Sequence, residues 1–292
     1  MRRALAASLL FAGLAIQLAA QQLTLPMKDG STRFAVIGDS GTGGGAQKDV
    51  AARIAVVHQR YPFEFTLMLG DNLYGGEGAN DYRRKFEEPY KPLLDAGVKF
   101  YAALGNHDDP TQTFYKLFNM NGERYYSFKS PKGGVRFFAL DSNYMSKEQL
   151  DWLDKELAAS GSDWKIVFFH HPIYSSGERH GSNETLREQV EPLFTKYGVD
   201  AVFTGHEHFY ERIRPQKGIT YFISGSAAKL RRGNLEEDST LTAKGYDQGY
   251  TFMIVEIAGD EMHFQSVNAK GQTIDSGIVK RREAALSSGA AR

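Results

Sequence analysis

Short runs of β-branched and aromatic residues alternate along the chain with longer stretches in which apolar residues return every three or four positions. The first unit sets the pattern. Residues 33–38 (RFAVIG) predict a buried strand, and residues 46–60 predict the helix after it. Further strands are predicted at 65–69, 99–104, 135–140, 165–170 and 199–204, and helices at 81–94, 147–159 and 184–197. Strands that read apolar throughout are covered on both faces, so this alternation predicts an α/β fold. The rhythm changes in the last third, where 220–224, 250–257 and 261–267 read as strands with no helix between them. That change predicts an antiparallel portion or a second sheet. A two-sheet sandwich with mixed sheets and α-β-β-α layers accommodates both halves.

The polar residues of greatest chemical interest stand where predicted strands stop. Gly38-Asp39-Ser40-Gly41 follows the first, Gly70-Asp71-Asn72-Leu73-Tyr74 the second, and Gly105-Asn106-His107-Asp108 the third. His170-His171 and Gly205-His206-Glu207-His208 close two later strands. Ligand sites in α/β proteins form in loops beyond the carboxyl ends of strands, so these five loops can converge. Of the eight histidines, only His58 and His263 lie away from these ends or from the loop after His171 that holds His180, and both read as surface or packing residues. A single Gly-Asp after a strand is more often a turn with a capping aspartate than a ligand. Five such coincidences in one order point instead to a metal centre.

Local geometry sharpens the assignment. In extended backbone His206 and His208 face one way and Glu207 the other. His170 and His171 are adjacent and should point oppositely, which makes one a ligand and leaves His171 a supporting or packing role. Asp71 and Tyr74, three apart in a turn, can reach the same ion. Asp108 either orients a histidine or caps the next helix. Arg231 and Arg232 are expected to be solvated, within a connection at 226–250 long enough to be a lid.

Charge narrows the partners. Thirty-five basic side chains balance thirty-five acidic ones, so no overall field favours nucleic acid or an anionic membrane surface. An anionic substrate must be held locally. Residues 1–20, with Arg2-Arg3, an apolar stretch from Ala4 to Ala15 and small residues at Ala19 and Ala20, have the layout of a secretory signal peptide. They predict a periplasmic or secreted protein, the alternative being an uncleaved anchor. Absence of cysteine removes disulfides, thiolate metal sites and cysteine nucleophiles. One continuous domain is expected over 24–282, followed by a frayed tail at 283–292 (EAALSSGAAR).

Taken in order, Asp39-x-Gly41, Gly70-Asp71-x-x-Tyr74, Gly105-Asn106-His107-Asp108, Val167-x-x-His170 and Gly205-His206-x-His208 resemble the five blocks of the purple acid phosphatases, within the calcineurin-like metallophosphoesterases. The match runs over about residues 33–226, and Tyr74 separates the purple enzymes from most others. The resemblance implies that Asp39, Asp71, Tyr74 and His208 bind Fe(III), and that Asp71, Asn106, His170 and His206 bind Fe(II), Zn(II) or Mn(II), with Asp71 bridging. Hard anionic oxygens around the first ion favour a trivalent cation, whereas the second set suits a divalent one. It further implies hydrolysis of phosphate monoesters by metal-bound hydroxide, with His107 and His180 contacting phosphate and protonating the leaving group. Small phosphorylated substrates and a monomer are expected, in the short form that lacks the extra N-terminal β domain of plant-type members. A phosphodiesterase or nucleotidase of the same superfamily is the alternative, and a metal-loaded inactive binding protein would need a broken ligand set.

Overall fold

The structure, a computed structural model, describes residues 25–236 and 238–282. The predicted signal peptide and C-terminal tail lie outside the described residues. Two mixed sheets stack face to face. The first contains β1 (Thr32–Ile37), β2 (Phe65–Met68) and β3 (Lys99–Ala102), which run parallel, together with β11 (Thr251–Ala258), β12 (Glu261–Asn268) and β13 (Thr273–Lys280), which join antiparallel beside β1 in the order β13-β12-β11-β1-β2-β3. The second has the order β10-β8-β9-β7-β6-β5-β4, from β4 (Tyr126–Lys129), β5 (Val135–Ala139), β6 (Trp164–Phe168), β7 (Ala201–Thr204), β8 (Tyr210–Ile213), β9 (Thr220–Ser224) and β10 (Thr242–Tyr246). Here β5, β6, β7 and β9 are parallel.

Side-chain alternation along each strand explains the stacking. From β1, Phe34 and Val36 point between the sheets, where they meet Phe65, Leu67, Phe137, Phe168, Phe203 and Phe222. Ala35 and Ile37 point the other way, onto Val50, Ile54 and Val57 of α1 (Gly45–Arg60) and onto Phe86 and Tyr90. On the far side Phe138, Val167 and Val202 pack against Leu153 and Leu157 of α4 (Lys147–Ala158) and against Val190 and Phe194 of α5 (Glu184–Tyr197). Each fully buried Leu, Val or Phe contributes about 1.5–3 kcal/mol, so the strand ends project from a stiff, dry base. The expected α-β-β-α layering follows from these three clusters.

Two expectations change. Residues 220–224 continue the parallel run beside β7, although no helix precedes them, because the hairpin strand β8 lies outside β9 and carries the chain back to the starting edge. The predicted helix 81–94 is observed as α2 (Ala79–Tyr82), a π-helical turn (Arg83–Glu87) and α3 (Glu88–Asp95) in succession. The π-helical turn contains Lys85, whose buried ammonium donates to the carbonyls of Tyr74 (2.7 Å) and Gly76 (2.6 Å). This helix is thereby fastened to the loop that carries Asp71 and Tyr74.

A candidate metal centre across two sheets

All five chemistry-bearing loops leave the carboxyl ends of parallel strands, three from the first sheet and two from the second. Backbone hydrogen bonds stitch them together: Asp39 N donates to Gly70 O (3.1 Å), Tyr74 N to Gly41 O (2.9 Å) and Gly205 N to His170 O (3.0 Å). Packing is tight enough to demand glycine. A Cβ on Gly205 would stand 2.6 Å from Asp39 Oδ2, and one on Gly105 would overlap the backbone nitrogen of Asp71. Asp39, Asp71 and His206 adopt positive φ angles of 55°, 51° and 68°. Such left-handed backbone is costly for non-glycine residues and persists only where surroundings enforce it.

Two donor sets result, and they share one carboxylate. In the first, Tyr74 Oη lies 3.1 Å from Asp39 Oδ1 and 2.8 Å from Asp71 Oδ2, while His208 Nε2 lies 3.3 Å from Asp39 Oδ1 and 3.5 Å from Tyr74 Oη. In the second, His170 Nε2 lies 3.4 Å from Asp71 Oδ1, 3.0 Å from Asn106 Oδ1 and 3.1 Å from His206 Nδ1. The backbone amides of His206 and His107 donate to Asp39 Oδ2 (2.9 Å) and Asp71 Oδ1 (3.0 Å), which orients both carboxylates.

These residues fit a pair of cations. His170 is fully buried, and its Nδ1 faces the Leu69 carbonyl at 2.9 Å. A carbonyl can only accept, so Nδ1 carries the proton and Nε2 presents a lone pair. That lone pair meets two oxygens that also only accept. Acceptors pressed together repel unless a proton or a cation sits among them. Around Tyr74 one phenolic proton serves two carboxylates, with the same consequence.

Electrostatics in the metal-free protein point the same way. Burial and then Asp71 push the Asp39 carboxyl well above its usual range, and burial, Asp39 and Asp71 raise the Tyr74 phenol. Burial holds His170 well below the ordinary histidine range; burial and then His170 push His206 down to about 2, and burial and then Arg231 push His208 down to about 4. The imidazoles therefore stay neutral, the form that ligates a metal.

The two remaining candidates stand on the rim. His107 is exposed, with its ring 5.0 Å from that of Tyr74. The His180 ring lies 4.3 Å from the ring of His206 and borders an open cleft with His171, Asn183 and His206.

Comparison with known proteins supplies the family. Residues 32–210 match the model of the calcineurin-like phosphoesterases. The chain belongs to that family. Among curated proteins it is 29% identical to purple acid phosphatase 7 of Arabidopsis thaliana, over 91% of this chain and 92% of that one. It is 28% identical to human tartrate-resistant acid phosphatase type 5, over 90% and 96% respectively. Among solved structures, GAP50, the anchor in the inner membrane complex of Plasmodium, shares the fold with a TM-score of 0.74 at 21% identity, covering 87% of this chain and 90% of that one. The yellow lupin purple acid phosphatase PPD1 does so with a TM-score of 0.72 at 19% identity, over 88% of this chain and 55% of its own.

Several details of this phosphoesterase centre depart from expectation. His170 and His171 do not point oppositely, because β6 ends at Phe168 and strand alternation no longer applies. The His171 ring lies 4.5 Å from that of His206, and its Nδ1 lies 2.9 Å from Ser142 Oγ; His170, His171 and His206 together form one potential ligand group. His206 and His208 do reach one cluster, but through the left-handed turn at His206 and not through extended backbone. Asp108 neither caps a helix nor touches a histidine. Its carboxylate accepts from Gly105 N (2.8 Å), Leu73 N (3.0 Å), Asn72 Nδ2 (3.1 Å) and Gln112 Nε2 (2.8 Å), tying the Asp71 and Asn106 loops together, and burial and then Asp71 push it up to about 7. Asp109 accepts from Thr111 N to cap the next helical turn. Arg231 is half-buried, with Nη1 3.4 Å from Glu207 Oε2. Sequence reasoning also passed over Lys229, whose ammonium lies 4.3 Å above the Tyr74 ring.

Proposed function

We propose that this protein is a metal-dependent acid phosphatase that hydrolyses phosphate monoesters at a dinuclear centre. Fe(III) would occupy the set of Asp39, Asp71, Tyr74 and His208, and Fe(II), Zn(II) or Mn(II) the set of Asp71, Asn106, His170 and His206. The observation that carries this reading is Asp71, whose Oδ2 faces Tyr74 and whose Oδ1 faces His170, so that one carboxylate serves both sets. Counting charge separates the ions: two carboxylates and a phenolate suit a trivalent cation, whereas one shared carboxylate with an amide oxygen and two imidazoles suits a divalent one. The similarity to purple and tartrate-resistant acid phosphatases over about nine-tenths of the chain supports the same activity.

When bound, the cations supply Lewis acidity, lowering the pKa of coordinated water and offsetting charge on the phosphoryl group. The chain's own residues do the rest. Asp39 and Asp71 are held by backbone amides, so the donors do not reorganise during turnover. His107 and His180 stand on the rim, where each can donate a hydrogen bond to phosphate and a proton to the leaving alkoxide. Burial, Arg231 and Arg179 hold His180 below the ordinary range, and an anionic substrate beside it offsets that bias toward the neutral form. A cysteine nucleophile is impossible in a chain without cysteine. The signal-like first twenty residues support export.

A substrate panel on iron-reconstituted protein tests the reading. Monoesters should be hydrolysed in preference to diesters, activity should vanish on chelation, and a broad visible absorption should accompany tyrosinate on ferric iron. A colourless, iron-free, fully active protein contradicts it.

A further inference from the structure

Between the two candidate ligands His206 and His208 stands Glu207, fully buried, with its carboxylate turned away from both donor sets. Its partners come from two segments distant in sequence. Oε1 accepts from the backbone amides of His180 (3.2 Å) and Gly181 (3.1 Å). Oε2 accepts from Asn234 Nδ2 (3.2 Å) and Arg231 Nη1 (3.4 Å). The carboxylate lies flat against Gly177, where an added Cβ would stand 2.6 Å from Cδ. The same two segments also bind each other, since Glu178 N donates to Asn234 O (2.8 Å) and Glu236 N to Ser176 O (3.0 Å). Arg231 N in turn donates to His208 O (3.0 Å). A buried carboxylate with four donors is stable only while all four remain, so the arrangement holds one geometry.

We propose that Glu207 is a positioning residue that holds the His180 backbone over the second donor set and Arg231 beside the first, setting the substrate-facing rim without touching either cation. The inference rests on the phosphatase reading above. An amide at this position cannot accept from all four donors: whichever way it turns, its NH2 group faces two of them. Glu207→Gln therefore loosens the rim, and Gly177→Ala, which displaces the carboxylate from outside, does the same with Glu207 intact.

The test measures both variants as metal-loaded enzymes, alone and combined with His180→Ala. Each single variant should keep two metals per chain and its visible absorption while KM rises about tenfold. In the His180→Ala background the same substitutions should lose the part of their effect that passes through His180 and keep only the part that passes through Arg231. Loss of metal, unchanged KM, or full additivity with His180→Ala overturns the proposal. Affinity for inorganic phosphate, measured in the same cycle, separates this outcome from failure of the phosphatase reading: that reading fails if wild-type protein binds phosphate but hydrolyses no monoester.

Discussion

The two donor sets share Asp71 and a common floor of strand ends, yet their chemistry differs. The Tyr74 set gathers three potential anions and one imidazole; the His170 set gathers one shared carboxylate, one neutral amide and two imidazoles. Burial treats them in opposite ways. It raises Asp39 and Tyr74 in the first set, so that without a cation both favour protonation, whereas it keeps the imidazoles of the second neutral and ready to ligate. The first set therefore needs high positive charge to release its protons, and the second accepts a divalent ion with little rearrangement. Asymmetry of this kind follows from which side chains end which strand.

Breaking the shared element should have the largest effect. Asp71→Asn removes the one anion common to both sets; both metals should be lost and kcat/KM should fall by about a thousandfold or more, as elemental assay and kinetics would read. His107→Ala should spare both sets. It should keep two metals per chain and lower kcat by about a hundredfold or more, so loss of metal in this variant would move His107 into the ligand shell.

A smaller change separates the sets. Tyr74→Phe should abolish visible absorption and weaken the trivalent ion while the divalent one remains, with activity down by about tenfold to a hundredfold. Retained colour would exclude Tyr74 as the source.

The smallest effect concerns the metal-free protein. Burial and Arg231 hold His208 near 4 in the folded state, against about 6.5 unfolded. A histidine depressed in this way contributes stability that is complete above about 6.5 and lost as pH falls toward 4, because the unfolded chain then binds more protons. Asp39 and Asp108 act oppositely, since their raised folded values favour the fold at low pH and lose that contribution as pH rises. Comparing chemical denaturation of His208→Gln with wild type isolates the histidine. The variant should lose less stability between pH 6.5 and 4, by up to about 3 kcal/mol, and identical slopes would show that His208 is not buried neutral.

The layered fold was legible because its strands are apolar on both faces and its helices periodic, so β1, β2, β6 and β7 could be placed from RFAVI, FTLML, KIVFF and AVFT. Strands β4, β8, β10 and β13 were not legible. Buried Glu211 interrupts the apolar pattern of YERI, and β13 alternates between half-buried and exposed positions at a sheet edge. The candidate ligands were legible because each lies in the loop that leaves a strand's carboxyl end. What lies beyond the strand end was not, because there the backbone leaves the extended form: the shared direction of His170 and His171, the left-handed turn at His206 and the clamp formed by Glu207 depend on contacts between loops far apart in sequence. Asp108 illustrates the limit. A carboxylate after a histidine suggests a local partner, but its four donors are Asn72, Leu73, Gly105 and Gln112, from two loops and a helical turn.

The most direct test of two unequal sets joined by Asp71 is a metal-loaded crystal examined by anomalous scattering at the iron edge and at the edge of the second metal. Two peaks are predicted, iron among Asp39, Asp71, Tyr74 and His208, and the divalent ion among Asp71, Asn106, His170 and His206. A single peak, or a second metal that Asp71 does not touch, would contradict the account.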